Sequence, residues 1–303
     1  MTVKLDYEFD MLVVDGDSHY GSVYALCPEA YRTPLLPECS AWLWEQRQSF
    51  VDSILAMGKK YILIKNGDVI DGSNGKSKST GVVTAKESEQ VEIAIEGDRR
   101  LCEGAQYVIR LPGSLYHEGF QGALKLYDQT YQTLRPRHNM GMVLDLQIDP
   151  HTVVNIKHTP EGSGTLYKAT GQEREIIWAK LMEAEKDLPE AHFLIRSHLH
   201  CQGHTRSFGK EFNGVGCWKL QGPWEIDKRR YKWLPNIGSA IMHPSDDGWH
   251  GWVVKQIEYP LPTFTASAPD ELIPAYNNAE PLEGQEVLEG NQIYGMDWQR
   301  PEN

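Results

Sequence analysis

Tyr61-Ile62-Leu63-Ile64-Lys65-Asn66-Gly67-Asp68-Val69-Ile70-Asp71-Gly72 is the stretch on which the reading of this chain turns. An apolar, β-branched run that stops at Asn-Gly reads as a buried strand feeding a tight loop, and the first side chain that loop presents is the carboxylate of Asp68. One carboxylate at the C-terminal edge of a strand can place an oxygen on each of two cations, provided other strand ends bring further ligands to the same edge. The rest of the chain offers them.

Upstream, Met11-Leu12-Val13-Val14 is a short apolar strand running into Asp15-Gly16-Asp17-Ser18-His19-Tyr20-Gly21. Between the two strands, Ser40 opens a helix with Leu43, Phe50, Ile54 and Met57 near one face, closed by Gly58. This is a β-α-β unit. Downstream, residues 86–103 read as a helix and 106–110 as a third strand, which ends in Leu111-Pro112-Gly113-Ser114-Leu115-Tyr116-His117-Glu118-Gly119. Residues 120–134 read as another helix, 142–148 and 153–156 as strands, and the second of these delivers His158. Thr170 and Glu173 have capping-box spacing before a helix whose Ile177, Leu181, Ala184 and Leu188 share one face. A strand over 192–196 leads to Ser197-His198-Leu199-His200, and 215–220 and 252–257 read as further strands. The expected division is one catalytic domain over 1–267 and a surface-wrapping tail over 268–303, rich in Pro, Glu, Asn and Gly.

At 303 residues, with 40% hydrophobic and 24% charged, the chain has an ordinary globular composition. A formal charge of −12 opposes non-specific binding to nucleic acid or anionic membrane. No run approaches the roughly 18–20 apolar residues of a membrane span, and the N-terminus lacks a signal-peptide core, so a cytoplasmic location is expected. The five cysteines have no C-x-x-C spacing and read as reduced thiols.

Five strand ends thus carry Asp17/His19, Asp68/Asp71, Ser114/His117, His158 and His198/His200. A dinuclear hydrolytic site needs such a set: hard oxygens, imidazoles, a bridging carboxylate and open positions for water and substrate. Each fragment has a plainer alternative. Asp-x-His and Asn-Gly-Asp are common turns, His198 and His200 suit an edge strand, and His158 suits a core. Their order, each at a strand end, favours the site.

Asp17-x-His19-x-Gly21, Gly67-Asp68-x-x-Asp71-Gly72, the Gly113…His117-Glu118 loop, His158 and His198-x-His200 together resemble the calcineurin-like metallophosphoesterase family over residues 11–200. The resemblance implies an α/β fold of two packed mixed β-sheets, a sandwich flanked by α-helices. It implies one metal on Asp17, His19, Asp68 and His200, and a second on Asp68, His158, His198 and a ligand from the third loop. The metals would generate hydroxide from a bridging water for in-line attack on a phosphate ester, a diester by preference. His117 would act as general acid or transition-state stabiliser, and Asp71 would stand behind the ligands. Mn is the expected ion, with Zn, Fe, Ni or Co able to use the same ligands. The third loop departs from the family's Gly-Asn-His-Asp/Glu pattern. Aligning on Gly113 puts Ser114 at the ligand position, and aligning on His117-Glu118 puts Tyr116 there; Ser114 is preferred because its small hydroxyl leaves room for a metal or water. Such variant loops resemble those of phage and prophage members, which would place the protein in a host cytoplasm.

A nuclease is one alternative, and a non-catalytic scaffold with a degraded site is another. Lys76 and Lys78 fit either phosphate contacts or a solvated loop. Lys228-Arg229-Arg230-Tyr231-Lys232-Trp233 suits single-stranded nucleic acid, or basic side chains laid over core aromatics. Trp218, Trp224, Trp249 and Trp252 are expected in the core and rim of the second sheet.

Overall fold

Parallel strands buried on both faces read as unbroken apolar runs, and the first sheet is built on two of them. The structure, a computed structural model, describes residues 2–4, 8–34, 36–73, 81–119, 123–134, 143–160, 168–186, 189–222 and 234–262. Lys76, Lys78, Leu188, Trp224, residues 228–233 and the 268–303 tail lie outside them. In chain order the elements are β1 (Val3–Lys4), β2 (Met11–Asp15), α1 (Glu38–Ala56), β3 (Tyr61–Asn66), α2 (Glu87–Gly104), β4 (Tyr107–Leu111), α3 (Leu115–Glu118), α4 (Lys125–Thr130), β5 (Val143–Asp149) and β6 (Thr152–Lys157). There follow α5 (Lys168–Ala184), β7 (Phe193–Arg196), β8 (Gly203–Ser207), β9 (Lys210–Gly214), β10 (Ile237–Trp249) and β11 (Trp252–Tyr259). All belong to one compact unit, Met1–Leu261. Among the described residues no helix is long and apolar enough to cross a membrane.

One sheet has the order β11-β10-β2-β3-β4, with β2, β3 and β4 parallel; the other runs β1-β5-β6-β7-β9-β8. The two-residue period of a strand divides the apolar run between two cores. Leu12, Val14, Ile62 and Ile64 face the second sheet, meeting Leu144, Val154, Ile156 and Ile195. Met11, Val13, Tyr61 and Leu63 face Leu43 and Phe50 of α1 and Val91 and Leu101 of α2. On the far side, Ile176 of α5 packs on Leu194 and Phe212. The result is the expected α/β architecture of two packed mixed sheets with helices outside.

Several local expectations differ from the structure. Helix α5 begins at Lys168, so Thr170 lies inside it, and its expected core face is turned outward: Ile177 and Leu181 are about half exposed. Of the helix expected over 120–134, residues 120–122 lie outside the described residues; the described part is helical only over Lys125–Thr130, and Leu134 bridges to Ile109 of β4. Residues 215–219 are buried without a strand ladder, making only isolated bridges from Cys217 to Ile237 and from Lys219 to Ala25. Trp218 packs on Phe50 of α1, behind the first sheet, and Trp252 belongs to β11 of that sheet with its ring between the two.

Candidate metal centre

The loops after β2, β3, β4, β6 and β7 open on the same edge, the C-terminal ends of parallel strands. Their geometry is strained in a specific way. Of the nine non-glycine residues with positive φ among those described, five are Asp17 (50°), His19 (47°), Asp68 (47°), His198 (69°) and His200 (55°). A left-handed backbone costs an L-residue ~1 kcal/mol, and such strain gathers where a side chain must be aimed. Hydrogen bonds between loops hold it: Asp17 N–H donates to Gly67 O (3.1 Å), His19 N–H to Asp68 O (2.9 Å) and Ser197 N–H to His158 O (2.9 Å). Gly67 (φ 77°) is required twice over, because a Cβ there would stand 2.5 Å from His158 Nδ1.

Three donor groups result among the described residues: one is His19, Asp71 and His117, and the other two carry buried atoms that lack a hydrogen-bond partner. In the first of these two, His19 Nε2 and His200 Nε2 are 3.1 Å apart, and Asp17 Oδ1 lies 3.4 Å from His200 Nε2 and 3.8 Å from His19 Nε2. In the second, Asp68 Oδ2 lies 3.1 Å from His158 Nε2 and 3.8 Å from His198 Nδ1. Asp68 Oδ2 is also 4.0 Å from His19 Nε2, so one carboxylate touches both groups. Ligands about 2.1 Å from one ion stand ~3.0–3.4 Å apart in octahedral or tetrahedral arrangement, and both groups approach that spacing. Asp17 Oδ1, His158 Nε2 and His198 Nδ1 are buried without a hydrogen-bond partner. The 3.1 Å approach of His158 to Asp68 is not aligned as a hydrogen bond. Buried polar atoms are almost always satisfied. Orphans converging on common points fit divalent ions.

The reverse sides of the His19 and His158 rings are held, as ligating histidines require. His19 Nδ1 meets Asp71 Oδ1 at 3.0 Å, and His158 Nδ1 meets the Asn66 carbonyl at 2.7 Å. Asp17 Oδ2 accepts the His198 backbone N–H at 2.8 Å. Burial alone would raise the Asp17 and Asp68 carboxyls, but the surrounding imidazoles hold both far below the usual range. Burial likewise opposes charge on His158, yet Asp68 and Asp17 push it up to about 10. Without a metal, the two carboxylates thus favour a proton trapped on His158.

Asp71 meets His19 Nδ1 from behind the first group and also carries Lys219, whose Nζ donates to Asp71 Oδ1 at 3.0 Å. Nothing in the sequence singled out Lys219, which enters from a stretch without a strand ladder. The third loop brings Ser114 to Asp68: its N–H and Oγ donate to Asp68 Oδ1 at 2.7 and 3.1 Å. Tyr116 instead sets its ring edge-on to His117, with centroids 4.9 Å apart. His117 Nδ1 meets the Asp71 carbonyl at 2.7 Å, and burial together with the His19 ring pushes its pKa down to about 4. Glu118 ties the loops together, accepting from the N–H groups of Val69 (2.9 Å) and Gly113 (2.7 Å).

Beneath the site lies a buried charge network that the sequence reading missed. Arg47 donates to both oxygens of Asp15 (2.7 and 2.9 Å) and to Asp98 (2.9 Å). Lys65 Nζ reaches Asp15 (2.5 Å), Asp98 (2.7 Å) and Ser18 Oγ (3.0 Å). Two anions and two cations therefore balance inside the core, two residues from Asp17. The available signal was a charge on the apolar face of each helix: Arg47 between Leu43 and Phe50, Asp98 between Ala94 and Leu101.

No family model matches the sequence and no curated protein matches it. Among solved structures, a single mutant of Vps29 from Entamoeba histolytica is similar over 82% of this chain and 99% of that one, at 14% identity and TM-score 0.39. Wild-type Vps29 complexed with zinc, from the same organism, is similar over 82% and 98%, at 13% identity and TM-score 0.38. A conserved protein from Streptococcus pneumoniae described as a predicted phosphoesterase is similar over 79% and 86%, at 14% identity and TM-score 0.34. Likenesses of this depth leave the site to be argued from its own geometry.

Proposed function

We propose that this chain is a metal-dependent phosphoesterase. The observation that carries the reading is the pair of donor groups joined through Asp68, with three orphaned donor atoms aimed into them. Asp17, His19 and His200 would hold one divalent ion, and Asp68, His158 and His198 the other, with Asp68 shared. When bound, such ions acidify water and neutralise charge on a phosphate. The chain's own residues do the rest. Ser114 fixes the rotamer of Asp68. Asp71 keeps the His19 proton on Nδ1, which leaves Nε2 free as a ligand, and its carbonyl does the same for His117. His117 is therefore neutral at rest with Nε2 available, and a phosphate anion beside the ring favours its charged form. Once Nε2 has taken a proton from solvent, His117 is the group that would pass that proton to the leaving oxygen.

The reading extends to a phosphodiester in preference to a monoester. Among the described residues, Lys219 is committed to Asp71, which leaves it less able to pair with the second negative charge of a monoester. Manganese is the ion we would load first, and the phage-like third loop makes a bacterial cytoplasm the setting we would examine first. The test is hydrolysis of bis-p-nitrophenyl phosphate and p-nitrophenyl phosphate before and after chelation and Mn²⁺ restoration. Chelator-sensitive diester cleavage supports the proposal. Monoester cleavage alone would replace diesterase with phosphatase, and inactivity with every ion would favour a binding protein. An activity that falls steeply with salt on DNA or RNA would mark a nuclease.

A further inference from the structure

Helix α5 carries an apolar stripe that does not face the core. Its inward side is formed by Gln172, Glu175 and Ile176: Gln172 bonds Thr205 of β8, and Glu175 pairs with Arg196 of β7 at 3.0 Å. The outward side presents Ile177 (45% exposed), Trp178 (51%) and Leu181 (51%). Arg174 lies one turn before this cluster and Glu185 one turn after it, both exposed. Stepping 100° per residue, all five fall within about 100° of helix surface.

We propose that this face is self-complementary and docks a second copy of the chain, with the two α5 helices antiparallel about a two-fold axis. In an antiparallel pair, residues whose numbers share a constant sum lie at the same height along the axis. A centre between residues 179 and 180 sets Trp178 opposite the second copy's Leu181, and Arg174 opposite its Glu185. One symmetry operation thus joins apolar to apolar and cation to anion at these two pairs, which is what an isologous contact demands. Placement of Glu185 supports this. It stands at the C-terminal end of α5, where the helix dipole disfavours an acid, and α5 has no basic residue in its last turn. Antiparallel docking brings Glu185 toward the positive end of the other helix.

The area sets the strength. The three apolar side chains expose roughly 300 Å² per copy, at the level where a surface patch on a monomer is commonly functional. With the flanking charges, two copies would bury on the order of 1,000 Å², the lower bound for a specific interface. The dimer is therefore reversible, with a dissociation constant on the order of 10 μM. It forms on the face of the second sheet away from the first, and does not depend on the phosphoesterase reading.

Sedimentation velocity of the full chain from about 1 to 200 μM tests it, with the mass rising from 34.4 kDa toward twice that value. Leu181→Arg should weaken association about 100-fold by placing a charge in the apolar centre. Arg174→Glu and Glu185→Arg should each weaken it about tenfold, and the double exchange should restore it, because the pair is rebuilt with its signs reversed. All these positions are exposed, so circular-dichroism melts should stay within about 2 °C of the parent. A chain that is monomeric throughout overturns the proposal, and would mean that a segment outside the described residues covers α5 or that the stripe stays in water. A dimer insensitive to Leu181→Arg, or a double exchange weaker than either single one, also overturns it.

Discussion

Replacing Arg47 by methionine should destabilise the protein by about 3 kcal/mol, because it unbalances a fully buried charge network. Arg47 makes three charge-assisted hydrogen bonds, two to Asp15 and one to Asp98. Each such bond contributes about 1.5–3 kcal/mol. Neither carboxylate is left bare, however. Asp15 keeps Lys65 (2.5 Å), Trp218 Nε1 (2.8 Å) and Ser239 Oγ (2.6 Å). Asp98 keeps Lys65 (2.7 Å) and the hydroxyls of Tyr20 (2.9 Å) and Tyr127 (2.8 Å). Methionine also refills part of the space of the arginine stem, which places the loss at the low end of the ~3–5 kcal/mol for breaking a buried pair. The melting temperature should fall by about 6–12 °C. Adding Asp98→Asn removes one uncompensated charge, so the double variant should lose about 1 kcal/mol less than the sum of the single ones. Urea denaturation followed by circular dichroism and tryptophan fluorescence measures both. A loss below about 1 kcal/mol for Arg47→Met, or strict additivity, would refute the claim that these four charges act as one network.

Other consequences follow from the site. Ser114→Ala removes the hydroxyl bonds to Asp68 while leaving the backbone bond, so affinity for both ions should fall about tenfold with little change in stability; an effect on one ion alone would mean that Ser114 is itself a ligand of that ion. His117→Ala should lower turnover by 10²–10⁴-fold, on the order expected for a proton-transfer group, with metal content unchanged; loss of metal would mean that His117 is a ligand. The His158 pKa is raised, in the metal-free protein, to about 10 from an ordinary value near 6.5. The stability it contributes is therefore complete below pH 6.5 and lost as pH rises through about 10, on the order of a few kcal/mol. Metal should abolish this slope and release about one proton at pH 7–8, measurable by calorimetry in buffers of different ionisation enthalpy. A flat stability profile for the metal-free protein would remove the trapped proton from the account.

The strand ends were legible because local chemistry states them: runs of three or four apolar residues followed closely by Asp-Gly, Asn-Gly or Pro-Gly. Asp17, His19, Asp68, His158, His198 and His200 meet because parallel strands all present their C-terminal ends at one edge. What escaped the sequence reading depends on distant partners. β10 contains Gly238, Ser239 and Pro244 and has no strand-like run of its own, yet it pairs with β2 and β11. Arg47, Lys65 and Asp98 interrupt apolar patterns and read as surface charges until each finds the others across tens of residues. In α5 the periodicity revealed an apolar stripe but not its direction, which is set by Gln172 and Glu175 bonding inward.

Metal content per chain, measured on the parent protein and on Asp68→Asn after saturation with Mn²⁺ and removal of free ion, tests the central claim most directly. The shared carboxylate predicts two ions per parent chain and a loss of both from Asp68→Asn, with the fold intact by circular dichroism. A parent that binds no ion, or an Asp68→Asn variant that keeps both, would contradict a site built around Asp68.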